Sequence, residues 1–250
     1  MPRVTTLLGS GAAALLAVSA VAVLVWPRQP DPAPAPQAGP ETVTSVKFLV
    51  DDVGIAAADC PRGVGWADDP VHGEVMTLRG AGEFCQTSGP MIRTAGSWSV
   101  AAWVRLAKAP DGYAMTFVAQ DGAYASGFYL QYSWFHRKWV CNWMQADMMN
   151  PTRNAASVSD EPVTTQWTHL VGTYDASTRR LLVYVNGVPG HAATIGKPWQ
   201  AGGPLTIGRG KWDGKSSDLA QGQVTDVRVW GRALKPEEVI TLRDAATRAS

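Results

Sequence analysis

The chain has 250 residues, 46% hydrophobic and 17% charged, with 25 Gly, 17 Pro and 11 Trp. That is enough apolar material for a core and too little charge for a coiled coil, and it excludes disorder over most of the length. Lys and Arg number 22 against 21 Asp and Glu, a net charge of +1. The chain therefore lacks the positive footprint that neutralises phosphates, and no nucleic-acid partner is expected.

Residues 7–25, LLGSGAAALLAVSAVAVLV, hold no charge and as a helix would span about 28 Å, close to a bilayer core. Two readings of residues 1–26 stand. One is a cleavable signal peptide, with the apolar run Leu7 to Leu16 ahead of the small-x-small site Ala20-Val21-Ala22. The other is a single transmembrane anchor, favoured because Val23, Leu24 and Val25 extend the run to Trp26, a residue that prefers the membrane interface. Arg3 and Arg28 flank the segment on both sides and leave its orientation open. Residues 27–42 are a linker. Pro27 to Pro40 contains six prolines in fourteen residues, which makes it either an extended polyproline spacer of about 40 Å or a disordered one. Residues 43–250 are then one folded domain held outside the cytoplasm.

Within that domain the period is mostly two. Ser97–Leu106, Ala114–Asp121, Gly127–Trp134, Arg137–Gln145, Trp167–Asp175 and Arg179–Val188 are β-branched and aromatic runs bounded by turn residues, the pattern of an all-β sandwich or barrel. In Gly127–Trp134, Phe128, Leu130, Tyr132 and Trp134 share one face and are expected to pack, leaving Tyr129, Gln131 and Ser133 available. Trp139, Cys141 and Trp143 are assigned to the core side of the next strand. Asn186-Gly187 has the sequence of a primed hairpin turn. One helix is expected from Pro236 to near Arg248, with Glu237 and Glu238 in its first turn and Val239, Leu242 and Ala246 as its apolar stripe.

The segments SWSVAAWVRL, WTHLVGTYD running into LLVYVNGVPG, LTIGRG and GQVTDVRVWGRALKPEEV resemble, in order, the concanavalin A-like, laminin-G-like jelly-roll modules of exported bacterial proteins. The resemblance runs from about Val43 to Leu242. It implies a two-sheet antiparallel jelly-roll sandwich with a short C-terminal helix, binding carbohydrate or protein on a concave face or rim loops rather than acting as an enzyme. Members commonly hold a structural calcium ion through acidic residues. Here the matching positions are Arg79 and Thr225, and a cation and a hydroxyl are poor replacements for carboxylate ligands. Glu83 and Asp226 stand nearby, but calcium is disfavoured and no cofactor is expected.

Oxidation of Cys60 with Cys85 would suit an exported domain and close a loop worth about 3 to 4 kcal/mol. Cys141 reads as a buried filler, although other pairings stay open. No catalytic constellation is found. Sandwich glycosidases resemble one another in a Glu-x-Asp-x-Glu strand, absent here. Lyases of this fold use an Arg, a Gln, a His and a Tyr, for which only Gln131, His169 and Tyr184 are on offer. His72, His136, His169 and His191 form no helical metal pair, and His169 reads as a hydrogen-bonded structural residue. Trp98, Trp103, Trp139, Trp167 and Trp230 are assigned to the core.

Ligand contacts are expected from Tyr129, Gln131 and Asn142 on the sheet, and from Trp212 and Asp213 on a rim loop, where an aromatic plate meets a carboxylate. Trp199 sits in a second such loop. Met144, Met148 and Met149 offer an adaptable apolar rim for a protein partner. Three readings follow: a module binding a glycan or cell-envelope component, an interaction module for a surface protein in a membrane complex, and a divergent polysaccharide-cleaving enzyme.

Overall fold

A computed structural model describes residues 44–51, 54–151 and 154–247; the N-terminal apolar segment, the proline-rich linker and Arg248 lie outside the described residues, as does the side chain of Ala246. The strands are β1 (Thr44–Val50), β2 (Gly54–Cys60), β3 (Gly65–Asp69), β4 (Gly73–Arg79), β5 (Cys85–Gln86), β6 (Trp98–Leu106), β7 (Met115–Asp121), β8 (Ser126–Ser133) and β9 (Lys138–Met144). They continue with β10 (Asn154–Val158), β11 (Thr168–Asp175), β12 (Arg180–Val185), β13 (Val188–Pro189), β14 (Ala193–Thr194), β15 (Leu205–Ile207), β16 (Gly210–Trp212), β17 (Lys215–Ser217) and β18 (Gln221–Trp230), before helix α1 (Pro236–Thr247). Among the described residues no helix is long and apolar enough to cross a membrane.

Hydrogen bonding runs β10-β9-β8-β7-β15-β5-β2-β1-β18-β6-β11-β12-β13, and this path folds over so that two antiparallel sheets face each other. Their joint is β1, antiparallel to β2 and parallel to β18. The disulfide Cys60–Cys85 ties β2 to β5 close by. Alternation fills the space between the sheets: Trp98, Val100, Ala102, Val104 and Leu106 of β6 meet Phe128, Leu130 and Tyr132 of β8 and Trp139, Cys141 and Trp143 of β9. Cys141 is a free, buried thiol, which burial pushes well above its ordinary pKa. Its sulfur occupies the space that a Cβ on Gly172 of β11 would enter at 2.9 Å.

Asn186 and Gly187 both have positive φ, 51° and 82°, and turn β12 into β13, as a primed turn requires. The helix begins at Pro236 as its sequence predicts. The Glu238 carboxylate accepts the Lys235 N–H at 2.8 Å, capping the first turn. Val239 and Leu242 press onto Ala101, Val171, Leu182, Tyr184 and Trp230, the outer face of the second sheet.

Two expectations need correcting. Trp167 is not core; it is half-buried on that outer face, donating Nε1–H to Asp69 at 2.8 Å. His169 is buried, but its Nδ1 has no hydrogen-bond partner and its ring packs on Trp103 with centroids 5.1 Å apart.

Candidate functional site

The face of β8 and β9 expected to be available is closed off. After β15 the chain crosses the outside of the first sheet as the β16–β17 hairpin, a flap pinned by a buried ion pair between Arg209 and Asp121 at 2.9 Å. Lys211 lies 3.3 Å from the same carboxylate. Beneath the flap, the Tyr129 hydroxyl donates to the Lys211 carbonyl at 2.5 Å and accepts the Ser126 N–H at 2.9 Å. Burial pushes this phenol far above its usual pKa. Gln131 accepts a hydrogen bond from Thr116 at 2.7 Å. Asn142 is also buried, and its Oδ1 has no hydrogen-bond partner. None of the three presents a ligand surface in this arrangement, because periodicity shows which residues share a face and not what crosses over that face. Asp218, half-buried at the end of the flap, has its carboxyl pushed up to about 6 by burial.

Trp212 and Asp213 stand differently. They are not in an irregular loop: Asp213 and Gly214, with φ of 50° and 73°, form the tight turn of the flap. The Trp212 ring is half-buried against Ala125, Tyr129 and Met144 with Trp199 beside it, and Trp199 Nε1–H donates to the Met144 carbonyl at 2.7 Å.

Three segments are stitched together around this tip. The Asp147 carboxylate accepts the N–H groups of Ala123, Tyr124 and Ala125 at 2.7, 2.7 and 3.0 Å, joining the β9–β10 loop to the β7–β8 turn. Asp213 accepts the Asn150 N–H at 2.6 Å, and the Gly214 N–H donates to the Tyr124 carbonyl at 2.8 Å. The outcome is one surface at one end of the sandwich, with Tyr124 45%, Met148 50% and Met149 48% exposed next to the Trp212 edge. The Trp212 tip and the methionine rim, rival surfaces in the sequence, are neighbours. Tyr124 and Asp147 were missed. Tyr124 is the one aromatic residue in the short DGAYAS turn and could have been flagged, whereas the role of Asp147 depends on three backbone groups more than twenty residues away.

Other groupings are separated. Gln131 lies on the outside of the first sheet, while His169 and Tyr184 lie on the outside of the second, so the lyase-type trio does not converge. Glu83 is engaged by Arg79 Nε at 2.6 Å and the Ala81 N–H at 2.9 Å, and those contacts hold its carboxyl low against the opposing effect of burial. Asp226 pairs with Arg228 at 2.7 Å. With each carboxylate already matched by a guanidinium, this pair does not fit calcium, which needs six to eight oxygens. Among the described residues no three His, Cys, Asp or Glu side chains are grouped to hold a metal.

No curated protein sequence matches the chain. Domain 4 of AbnA, a GH43 extracellular arabinanase from Geobacillus stearothermophilus in complex with arabinotriose, is similar with a TM-score of 0.51 at 18% identity, over 80% of this chain and 87% of that one. Trypanosoma rangeli sialidase in complex with the inhibitor DANA gives 0.52 at 17% identity, over 75% of this chain and 29% of that one. The botulinum neurotoxin serotype D binding domain gives 0.56 at 11% identity, over 80% and 51%. The chain thus spans less than a third of the sialidase and about half of the toxin domain, and at these identities the likeness is one of fold. Residues 79–240 match the family model, and with the two-sheet sandwich described above this places the chain in the concanavalin A-like lectin/glucanases superfamily.

Proposed function

We propose that the protein is a non-catalytic binding module that recognises a carbohydrate or cell-envelope glycan through the surface around Trp212, Tyr124, Met148 and Met149. The observation behind this is the convergence of three loops that leave aromatic edges open at one end of a rigid sandwich, the kind of platform on which sugar rings stack. The neighbour solved with arabinotriose has the same fold, which agrees with this reading. Asp147 and Asp213 spend carboxylate oxygens on backbone N–H groups, so they shape the platform rather than act as an acid and base. We further propose that the domain is displayed outside the cytoplasm, tethered by residues 1–26 through the spacer 27–42; the Cys60–Cys85 disulfide fits an oxidising compartment.

A glycan array probed with the purified full chain tests this. Saturable binding that weakens about tenfold or more in Trp212→Ala and Tyr124→Ala, the loss of a stacking contact, supports it. The half-exposed Met148 and Met149 favour a second reading, a surface protein as ligand. A chain that binds no glycan but captures a protein through Met148 and Met149 would establish that reading instead.

A further inference from the structure

The sulfur atoms of the chain are unevenly placed. Cys60 and Cys85 are buried and joined to each other, and Cys141 is a buried thiol that burial keeps protonated, so none of the three is open to an oxidant in water. Met76, Met115 and Met144 are at most 3% exposed, and Met91 is half-buried against the core. Met148 and Met149 are the exception among the described residues, 50% and 48% exposed.

The fold holds this pair out. On one side Asp147 is fixed by three backbone N–H groups of the β7–β8 turn. On the other, the Asn150 N–H donates to Asp213 at the flap tip, Asn150 itself has φ 44°, and Pro151 is buried. The backbone between two such anchors cannot fold back onto the sandwich without breaking one of them. The two thioethers are thereby presented beside Tyr124 and the Trp212 edge, whereas Met144, at the end of β9, is buried against Tyr129 with Trp199 and Trp212 packed on it.

We propose that Met148 and Met149 are a modification site: a peroxide oxidises them to methionine sulfoxide, and this switches off ligand binding at the Trp212 surface. The proposal rests on the glycan reading above and adds the regulation of that surface. In the step, the thioether sulfur attacks one oxygen of the peroxide; an S–O bond forms, the O–O bond breaks, sulfur gives up two electrons, and hydrogen peroxide leaves as water. The product carries a strong dipole where an apolar, polarisable group stood. A sugar ring lying on this rim brings C–H groups, which give the sulfoxide oxygen no hydrogen bond, so seating the ring strips that oxygen of water without replacement. The bonds of Asp147 and Asp213 to backbone N–H groups hold the loop in either state, which confines the change to the surface.

To test this, the full chain is treated with hydrogen peroxide, mapped by peptide mass spectrometry and titrated with whichever of arabinotriose, cellohexaose and mannohexaose it binds most tightly. Oxygen is expected on Met148 and Met149 before Met76, Met91, Met115 and Met144. Affinity should fall about tenfold, the cost of burying a polar group without a partner, with the thermal midpoint unchanged, and methionine sulfoxide reductases A and B should restore it. A double variant, Met148→Leu with Met149→Leu, measured against its own untreated affinity, should lose nothing to peroxide. Equal oxidation of the buried methionines, or a loss of affinity that persists in the double variant or comes with a lower midpoint, overturns the proposal. Full oxidation of the pair with unchanged affinity overturns the switch and leaves the glycan reading standing, whereas an untreated chain that binds none of the three saccharides, nor any glycan on an array, overturns both.

Discussion

His169 illustrates how a single buried side chain sets pH behaviour. Burial lowers its pKa to about 4 from an ordinary 6.5, so the unfolded chain binds the proton more readily than the folded one. The stability it permits is complete above about pH 6.5 and is lost progressively toward pH 4, by up to about 3 kcal/mol. Thermal midpoints measured from pH 7.5 down to 4.5 should therefore fall, and His169→Gln should flatten the slope; an unchanged slope would assign the effect to other groups. Gly172 is a second such residue. A Cβ there would meet the Cys141 sulfur at 2.9 Å, so Gly172→Ala is expected to cost about 1–3 kcal/mol by overpacking. The loss should shrink when Cys141→Ala is added, and purely additive losses in denaturant melts would mean that the two do not share this space.

The flap is the element on which the site depends. Its anchor, Asp121 with Arg209, is almost fully buried on both sides, and removing one partner leaves the other uncompensated. Asp121→Asn should destabilise the fold by about 3–5 kcal/mol and raise amide exchange across β16 and β17; retained protection there would show that the Tyr129 contact is enough to hold the flap. The disulfide acts next to the joint between the two sheets. It spans 25 residues, and Cys60→Ala with Cys85→Ala should lower stability by about 3 kcal/mol through the freer unfolded chain, read as a lower denaturant midpoint. Much of this level was legible in the sequence. Strands β6 to β9 and β11 fall within a residue or two of their expected ends, and β12 stops three residues before its own at the Asn186-Gly187 turn, because alternation of apolar residues is a local property. The flap was not. GRGKWDGKSSD is short, polar and glycine-rich, and it becomes a hairpin only where Tyr129, Asp121 and Thr116 bind its backbone and side chains.

At the scale of the whole molecule, the two sheets close around a core of tryptophans and branched aliphatics, while both outer faces are partly covered, one by the flap and the other by α1. With the acidic residues of the expected calcium position paired to arginines, millimolar calcium or chelator should leave the thermal midpoint unchanged, and a clear rise with calcium would show that the Arg79–Glu83 contact yields to the ion. The all-β class, the sheet periodicities, the turn at Asn186-Gly187 and the helix start at Pro236 followed from the sequence, since each depends on residues within a few positions of one another. Which face is solvent and which is covered, that Trp212 and the methionine rim form one surface, and that a bulge in β18 holds Asp226 at positive φ were decided only by the tertiary structure. Those relations join residues distant along the chain, and a repeating pattern within one strand carries no information about what packs across it.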